Sequence, residues 1–291
     1  MTSPAVSARP THNRRLRLAA IHFLNPAPLM WDFEHPPFSD ELSLRYQIHY
    51  TAPALCAEDL LSGHADIGLI PIAALTPGLH IVPGCTIASL RQVRSILLIV
   101  KSGQKLEGIR KINSDTASRS SIAYAQILFR TFLHTDPNFI PTHATNPIQM
   151  LADADAALLI GDPALLAREA QTTIEAAVGP CLWIDLAELW HTHTGLPWVA
   201  AVWAVNPTAI PNPTQLSQDL QLSRDHGLLH IEDLVHEWTP RLAVPPTTIR
   251  HYLTQNIHYT LDPPCVEAIE LFRKLAAEAK ILPPLPTLNF L

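Results

Sequence analysis

Apolar residues recur along this chain with two different periods, one typical of strands and the other typical of helices. "LRLAAIHF", "ADIGLIPIAAL" and "RSILLIV" are short and largely apolar, as expected for buried strands. "TAPALCAEDLLSG" and "SRSSIAYAQILFRTFLH" instead place apolar residues three and four positions apart, the spacing of a helix with one buried face. This alternation of strands and helices predicts an α/β fold with largely parallel sheets.

The same two patterns assign the remaining stretches. "LSLRYQIHY", residues 42–50, alternates apolar and polar positions and predicts a strand with one face in water. From about residue 101 the succession of strands and helices starts again, which indicates two blocks. The last third is predicted to be helical over residues 215–238, 247–259 and 264–280.

Composition and charge narrow the class of protein. The 291 residues are 47% hydrophobic and 16% charged, which indicates globular domains rather than a disordered chain. The formal net charge of −6, without a basic stripe, argues against a nucleic-acid partner. No apolar stretch has the length of a membrane span and the N-terminus does not resemble an export signal, so we expect a cytoplasmic protein with no membrane partner.

The residues that commonly bind metals are not arranged as a metal site. The four cysteines are scattered and form no CxxC pair, so neither a disulfide framework nor a cysteine site is expected. His226 and His230 have the i, i+4 spacing that two ligands on a helix can share, and His191 and His193 lie two apart. Neither pair has a recognisable third ligand. We therefore expect no metal and no cofactor.

The segment "IHFLNPAPLMWDF" carries the first candidate for chemistry. Asn25 follows the first strand and precedes Pro26, which is the order of a helix start: Asn is a favoured N-cap, and Pro fits the first turn. Helix N-termini at the carboxyl ends of strands often bind ligands in α/β proteins, anions especially. The sequence predicts that Asn25 caps this helix, with ligand binding as an additional role.

Seven segments resemble those of one family, in the same order along almost the whole chain. "FLNPAPL" matches its Phe-Leu-Asn strand end, and "DTASRSSIAYAQILF" matches its Ser-Arg-Thr-Ser helix start. The other five are "LLSGHADIGLIPIAAL", "CTIAS…VRSILL", "ADAALLIGDPAL", "WIDLAELWHTHTGLPWVAAVWAV" and "YLTQNIHYTLD". On these motifs residues 17–291 resemble the chorismate dehydratase family, which belongs to the futalosine route to menaquinone.

The resemblance implies a two-lobed, periplasmic-binding-protein-like fold of type II with the ligand cleft between the lobes. The predicted units are a disordered tail over residues 1–15, lobe I over 16–100 and 202–291, and lobe II over 101–201. We place the two crossings near Ile99–Gly103 and Ala201–Val205, where extended runs leave one block for the other. At Leu90-Arg91-Gln92-Val93 the family usually has a Gly-Pro-Val turn, so we expect this wall of the cleft to differ.

The resemblance also implies an activity, the removal of water from chorismate to give 3-[(1-carboxyvinyl)oxy]benzoate, without a cofactor. Loss of the C3 proton and the C4 hydroxyl makes the ring aromatic, so most of the driving force resides in the substrate. The negative charge that develops in this step collects on the ring carboxylate. A site for this reaction needs hydrogen-bond donors that already point at the developing charge.

The resemblance assigns Asn25 and Ser95 as candidate catalytic residues that position the substrate and handle its protons. Ser118 is the natural N-cap of the long helix, whose first backbone N–H groups would face a carboxylate. From the segment alone a serine at this point is ordinarily only a cap, whereas the matched motif favours a binding site. The implied substrate-binding residues are Leu24, Ser89, Thr116, Ala117, Ser118, Arg119, Ser120, Gly161 and Asp162.

No general base stands out in the sequence. A carboxylate or histidine that titrates near the operating pH is expected for proton removal, and the candidates are Asp162, His22 and Asp66. The family offers another route, in which the substrate's own enolpyruvyl carboxylate removes the proton. We favour this second route, because the segments that match the family's cleft contain no evident His or Glu.

Two alternative functions are retained. The enzyme 1,4-dihydroxy-6-naphthoate synthase shares the fold and the pathway, but its opening Ser-Pro-Cys-Pro-Asn-Asp type segment does not match "IHFLNPAPL". A binding protein without chemistry is the other alternative. An exported receptor should carry a signal peptide, so this alternative is a cytoplasmic sensor of small carboxylates. Each function implies a small-molecule partner, and the sequence leaves the oligomeric state open.

Overall fold

The computed structural model describes residues 14–117, 119–143, 145–285 and 287–291, so most of the predicted tail and Ser118 lie outside the described residues. The strands are β1 (Leu16–Ile21), β2 (Tyr46–Thr51), β3 (Ile67–Pro71), β4 (His80–Ser89), β5 (Ile96–Lys101), β6 (Lys111–Asp115), β7 (Asn138–Thr142), β8 (Ala156–Ile160), β9 (Cys181–Asp185), β10 (Trp198–Val205) and β11 (His258–Leu261). The helices are α1 (Trp31–Glu34), α2 (Phe38–Arg45), α3 (Pro53–Leu61), α4 (Arg119–Ile127), α5 (Pro147–Met150), α6 (Gly161–Glu169), α7 (Gln171–Val178), α8 (Leu186–Thr194), α9 (Pro213–Leu229), α10 (Ile231–Leu242), α11 (Pro246–His251) and α12 (Pro263–Glu278).

Two mixed sheets form the frame of the protein. The first has the strand order β11-β4-β10-β3-β1-β2, and the second has the order β7-β6-β8-β5-β9. β1 pairs in parallel with β2 and β3, and β6 pairs in parallel with β7 and β8. β5, β10 and β11 run antiparallel to their neighbours. The prediction of largely parallel sheets is therefore wrong, because the period of a strand does not encode its direction.

The chain passes between the two sheets at places that differ from the predicted crossings. β5 pairs with β8 and β9, so residues 96–100 belong to the second sheet although the sequence assigns them to lobe I. β10 pairs along its length with β3 and β4 in the first sheet, although residues 198–201 are assigned to lobe II. An apolar run indicates burial but not which sheet buries it. On this pairing we propose that the lobes join between β4 and β5 and between β9 and β10.

The predicted strand over residues 42–50 is in fact the end of α2 followed by β2. Asp40 and Glu41 lie in the first turn of α2 and Arg45 lies in its last turn. Acidic residues at the N-terminus and a basic residue at the C-terminus both favour a helix there. The alternating pattern continues into β2, which begins only at Tyr46.

Two of the predicted C-terminal helices are divided. The predicted helix over residues 215–238 is two helices, α9 and α10, which meet at His230. The predicted helix over residues 247–259 is α11 and a π-helical turn, Tyr252–Asn256, followed by β11, which pairs with β4. In the part of the chain that the structure describes, no helix is long and apolar enough to cross a membrane.

One large apolar core connects the two sheets. It contains buried side chains of β1, β3, β4 and β10 from the first sheet and of β5, β6 and β8 from the second. The ring of Tyr124 in α4 stacks on Trp198 at a centroid distance of 3.8 Å and packs edge-on with Trp190. These contacts hold α4 against β10 of the first sheet and against α8, with its first turn at the space between the two sheets.

Candidate active site

A cleft lies between the two sheets, where several strands begin or end. It encloses about 590 Å³, counting the open solvent at its mouth. Its walls come from the segment after β1, the end of β4, the start of β5, the end of β8, the start of β10 and the first turn of α4. Most of the lining side chains are apolar, with a small number of polar groups among them.

Asn25 lines the cleft but does not cap a helix. The Ala27 N–H donates to the Leu24 carbonyl, so Asn25 lies inside a turn rather than before a helix. The 3-10 turn Ala27–Met30 follows Pro26, and no side chain caps it. The cap prediction is therefore wrong. The Oδ1 atom of Asn25 is buried without a hydrogen-bond partner among the described residues, and a ligand in the cleft would supply the missing donor.

Ser95 belongs to the wall that the second sheet builds. It directly precedes β5, is 1% exposed and lines the cleft. Its carbonyl accepts the Gly161 N–H at 2.8 Å, and its Oγ accepts the Tyr252 hydroxyl at 2.7 Å. The preceding residue, Arg94, has a φ of 62°, and its N–H donates to Asp185 at 2.6 Å. Ser95 is thus held through its side chain and its backbone.

The first turn of α4 supplies another part of the wall. The lining residues here are Ala117, Arg119, Ser120 and Ser121. The Ser120 Oγ accepts the Ala73 N–H and donates to the Ala200 carbonyl, both at 3.2 Å. Ala73 and Ala200 belong to the part of the chain that carries the first sheet, so Ser120 ties α4 to it across the cleft.

This turn also concentrates positive potential. The N-terminus of a helix is the positive end of its dipole, and the Arg119 guanidinium lies beside it, paired with Glu58. An anionic ligand can therefore be favoured here although the whole chain carries a net negative charge. Thr116 is exposed, outside the lining residues, and its Oγ1 lies 3.3 Å from His143. Ser118, the predicted cap, lies outside the described residues.

Leu24 and Asp162, both predicted to bind substrate, bind each other. The Oδ1 atom of Asp162 accepts the Leu24 N–H at 3.0 Å, which joins the segment after β1 to the start of α6. Leu24 is fully buried and Asp162 is nearly so. Burial raises the pKa of the Asp162 carboxyl to about 6, and the hydrogen bond from Leu24 opposes this shift. Neither residue is among those that line the cleft, whereas the neighbouring Gly161 is.

Asp162→Asn is expected to remove a pH dependence of stability. In the wild-type protein the pKa of the Asp162 carboxyl is about 6 in the folded chain and about 4 in the unfolded chain, so the unfolded chain loses this proton first as the pH rises. The free energy of unfolding of the wild-type protein should therefore fall between about pH 4 and pH 6, by up to about 3 kcal/mol. The Asn amide keeps an acceptor for Leu24 and does not titrate. Urea unfolding from pH 4 to pH 7 tests this, and equal pH slopes for the two proteins would contradict it.

Several apolar lining residues are not predicted by the sequence. They are Phe23, Pro53, Pro71 and Ile87. Most lie at or beside the end of a strand or helix, so grouping the element ends of the predicted fold is the signal that could have found them. Ser89, which is predicted, lies at the end of β4 beside the lining residue Ala88, and its buried Oγ has no partner among the described residues.

The candidate bases do not lie in the cleft. Among the described residues that line it, none is a His, Asp or Glu. His22 is exposed. Asp66 is bound by Arg14 and Arg17, and although burial opposes the effect, their hydrogen bonds hold the pKa of its carboxyl well below the usual range. Asp162 follows the lining residue Gly161, and one of its oxygens is bound to Leu24.

A group of metal-type ligands lies outside the cleft, where the donor atoms of His258, Asp262 and Cys265 are within 4.8 Å of one another. Asp262 caps α12 by accepting the Cys265 N–H at 3.1 Å, and its other oxygen lies 2.9 Å from His258 Nε2. Burial raises the pKa of the Cys265 thiol to about 12, which disfavours the thiolate that a metal requires. Capping and a His–Asp pair therefore account for this group.

The two helical histidines with i, i+4 spacing are engaged by different carboxylates. The Nδ1 atom of His226 lies 2.9 Å from Asp32, and that of His230 lies 2.8 Å from Asp233. His230 also stacks on Trp31 at a centroid distance of 4.4 Å. Ring stacking and hydrogen bonds to carboxylates thus account for both histidines on this face of the protein.

Comparison with solved structures identifies the fold. The alkanesulfonate-binding protein SsuA from Xanthomonas axonopodis pv. citri, bound to MOPS, matches with a TM-score of 0.64 and 16% identity, over 95% of this chain and 96% of its own. A Candida albicans protein with the generic periplasmic binding protein fold matches with a TM-score of 0.64 and 11% identity, over 94% of this chain and 92% of its own. The predicted periplasmic-binding-protein-like fold is confirmed.

Comparison of sequences identifies the family. A chorismate dehydratase from Thermus thermophilus is 28% identical over 249 residues, which cover 82% of this chain and 88% of that protein. A family model for menaquinone biosynthesis matches residues 16–278, a range that includes every residue lining the cleft. The resemblance read from the motifs is confirmed at this level, and the chain belongs to the menaquinone biosynthesis family.

Proposed function

We propose that this protein is a chorismate dehydratase, which eliminates water from chorismate and forms 3-[(1-carboxyvinyl)oxy]benzoate in the futalosine route to menaquinone. The observation that carries the proposal is the 28% identity to a chorismate dehydratase over most of both chains. The cleft adds chemical support, because its largely apolar lining contains the Oδ1 atom of Asn25, which has no hydrogen-bond partner among the described residues.

The substrate carries two carboxylates, and the first turn of α4 suits one of them. The positive end of the helix dipole lies at the cleft, beside the Arg119 guanidinium that Glu58 pairs, and none of the described lining residues is a carboxylate. We assign the ring carboxylate to this turn, since the charge that develops during elimination collects there. Donors that are fixed before the reaction stabilise such charge without having to reorganise.

The elimination then breaks two bonds of the ring carbons. The enolpyruvyl carboxylate of the substrate takes the C3 proton, and the electron pair of that C–H bond moves into the ring and onto the ring carboxylate. The C4–O bond next breaks, the departing hydroxide takes up the proton that the enolpyruvyl carboxylate had removed, and it leaves as water. The ring gains its third double bond and becomes aromatic. The described lining residues, which include no His, Asp or Glu, favour this substrate-assisted route.

Asn25 and Ser95 act on the reacting end of the substrate in this proposal. The carboxamide of Asn25 offers an acceptor to the C4 hydroxyl and a donor to the enolpyruvyl carboxylate, so it holds that carboxylate near C3. The hydroxyl of Ser95 donates to the C4 oxygen as it departs. Both side chains line the same cleft, although they are distant in sequence.

We further propose that the enzyme acts in the cytoplasm and without a cofactor. All four cysteines are free thiols, and three of them are buried. Free thiols suit a reducing compartment. The elimination is neutral in redox terms, and aromatisation of the ring supplies its driving force.

Incubation of the purified protein with chorismate tests the proposal. We expect chorismate to disappear and 3-[(1-carboxyvinyl)oxy]benzoate to appear in equal amount, as followed by liquid chromatography with mass detection. A protein that binds small carboxylates without converting them is the second candidate function, and the fold shared with the binding protein SsuA is compatible with it. Such a protein would bind chorismate or a benzoate in calorimetry and leave chorismate unconsumed. A 1,4-dihydroxy-6-naphthoate synthase would not convert chorismate either. Purified protein that leaves chorismate unconverted would therefore overturn the proposal.

A further inference from the structure

We infer that Tyr252 is a positioning residue for the elimination: its hydroxyl donates to Ser95 Oγ and thereby directs the single proton of Ser95 into the cleft. This inference rests on the proposed function and deepens it by giving a role to a residue that lies in the motif "YLTQNIHYTLD" but to which the resemblance assigns none. Tyr252 opens the π-helical turn after α11, 157 residues away from Ser95 in the chain.

The hydrogen bond between the two hydroxyls determines where the serine proton can go. The Tyr252 and Ser95 oxygens lie 2.7 Å apart, and both side chains are buried. In this bond the Tyr252 hydroxyl is the donor and the Ser95 oxygen is the acceptor. Among the described residues none accepts a hydrogen bond from Ser95. Its proton is therefore left for a ligand in the cleft that Ser95 lines.

The surroundings keep Tyr252 in its donor form. It is 1% exposed, and burial together with the nearby carboxyls of Asp162 and Asp185 raises the pKa of its hydroxyl far above the usual value. Tyr252 thus stays protonated at any pH at which the enzyme works. It cannot supply a proton to the reaction, and its effect is exerted through the orientation and polarity of Ser95.

The backbone of Ser95 is fixed from two other directions. Gly161 donates its N–H to the Ser95 carbonyl, and Asp185 accepts the N–H of Arg94. Arg94 is a non-glycine residue with a φ of 62°, a conformation that persists only where its surroundings impose it. Strain of this kind beside a polar side chain in a cleft fits a residue that must be presented at one angle.

The chemical consequence concerns the departing oxygen. When the C4–O bond breaks, its electron pair stays on the oxygen, and the Ser95 proton points at the charge that develops there. The hydrogen bond from Tyr252 polarises the Ser95 hydroxyl and makes it a stronger donor, since linked hydrogen bonds strengthen one another. Without Tyr252 the serine hydroxyl is free to rotate and to donate elsewhere.

Tyr252→Phe tests the inference, with Tyr259→Phe as the matched control. Tyr259 is also buried, but its hydroxyl has no partner among the described residues, so its loss removes no hydrogen bond. We expect kcat for chorismate to fall about tenfold in Tyr252→Phe with KM nearly unchanged, and both values to stay unchanged in Tyr259→Phe. In the Ser95→Ala background, Tyr252→Phe should cause no further loss, because the partner through which it acts is gone.

Two results would overturn the inference. One is a kcat for Tyr252→Phe within twofold of the control, and the other is a full additional loss in the Ser95→Ala background. If Tyr252→Phe does not fold, 3-fluorotyrosine placed at position 252 or at 259 retains the hydroxyl and makes it more acidic; kcat should change only at 252. Wild-type protein that leaves chorismate unconverted would overturn the proposed function itself, whereas active wild type with an unaffected Tyr252→Phe variant overturns only this inference.

Discussion

Asn25→Ala is expected to lower kcat for chorismate by about 10²–10³-fold, while KM changes far less. The Oδ1 atom of Asn25 is buried in the cleft without a hydrogen-bond partner among the described residues, and the Asn25 carboxamide does not cap a helix. In the proposed mechanism this carboxamide holds the enolpyruvyl carboxylate near C3. A carboxylate that is misplaced by about 1 Å loses much of the advantage of an intramolecular base.

Steady-state kinetics of product formation measure this effect, with Asn138→Ala as the control. Asn138 is an exposed residue of β7, the edge strand of the second sheet, so its replacement removes an equal side chain far from the cleft lining. We expect the control to retain wild-type kcat and KM. An Asn25→Ala enzyme with unchanged kcat would remove Asn25 from the mechanism. A variant with raised KM and normal kcat would make it a binding residue only.

Gly161→Ala is expected to lower both the stability of the protein and kcat/KM for chorismate. Gly161 has a φ of 61°, which strains any residue with a side chain by about 1–2 kcal/mol. A Cβ atom there would lie 2.7 Å from two ring atoms of Phe23, a crowding that costs about 1–3 kcal/mol more. Phe23 lines the cleft, so relief of this crowding moves a wall of the substrate site. We expect kcat/KM to fall at least about tenfold.

Gly179 offers a control that separates the effect of backbone strain from the effect of side-chain crowding. Gly179 ends α7 with a φ of 88°, and a Cβ atom there meets no heavy atom within 4 Å. Gly179→Ala should therefore lose stability in urea unfolding and keep wild-type kcat/KM. Adding Phe23→Ala to Gly161→Ala should restore the part of the stability that crowding removes. Wild-type kcat/KM in Gly161→Ala would mean that the Phe23 ring moves aside without disturbing the site.

The elements that surround the cleft are largely readable from the sequence. The apolar runs that became β1, β3 and β5 were each predicted as strands, and the amphipathic segment that became α4 was predicted as a helix. Their spacing of apolar residues is unambiguous because each element buries one or both faces. The same pattern gave a wrong prediction for the stretch that became α2 and β2. Only Leu42 of α2 is buried, so the helical spacing of apolar residues is weak there.

The residues of the candidate site were also predictable only in part. Asn25, Ser95, Ala117, Arg119, Ser120 and Gly161, named from motifs, all line one cleft. Motifs mark these positions because each lies where a strand ends or a helix begins. The prediction that Asn25 caps a helix was wrong, because the order Asn-Pro fits both a helix cap and the interior of a turn. The bond between Leu24 and Asp162 had no local signal at all.

Local patterning is sufficient to specify where strands and helices form, because the burial of one face depends on spacings of two or of three to four residues. It also marks the element ends at which ligands bind. The direction of β5 and β10, the sheet to which each belongs, and the partnership of Ser95 with Tyr252 arise only when the whole chain packs. A contact between residues 157 positions apart depends on every element folded between them, and so it leaves no periodic trace in either segment.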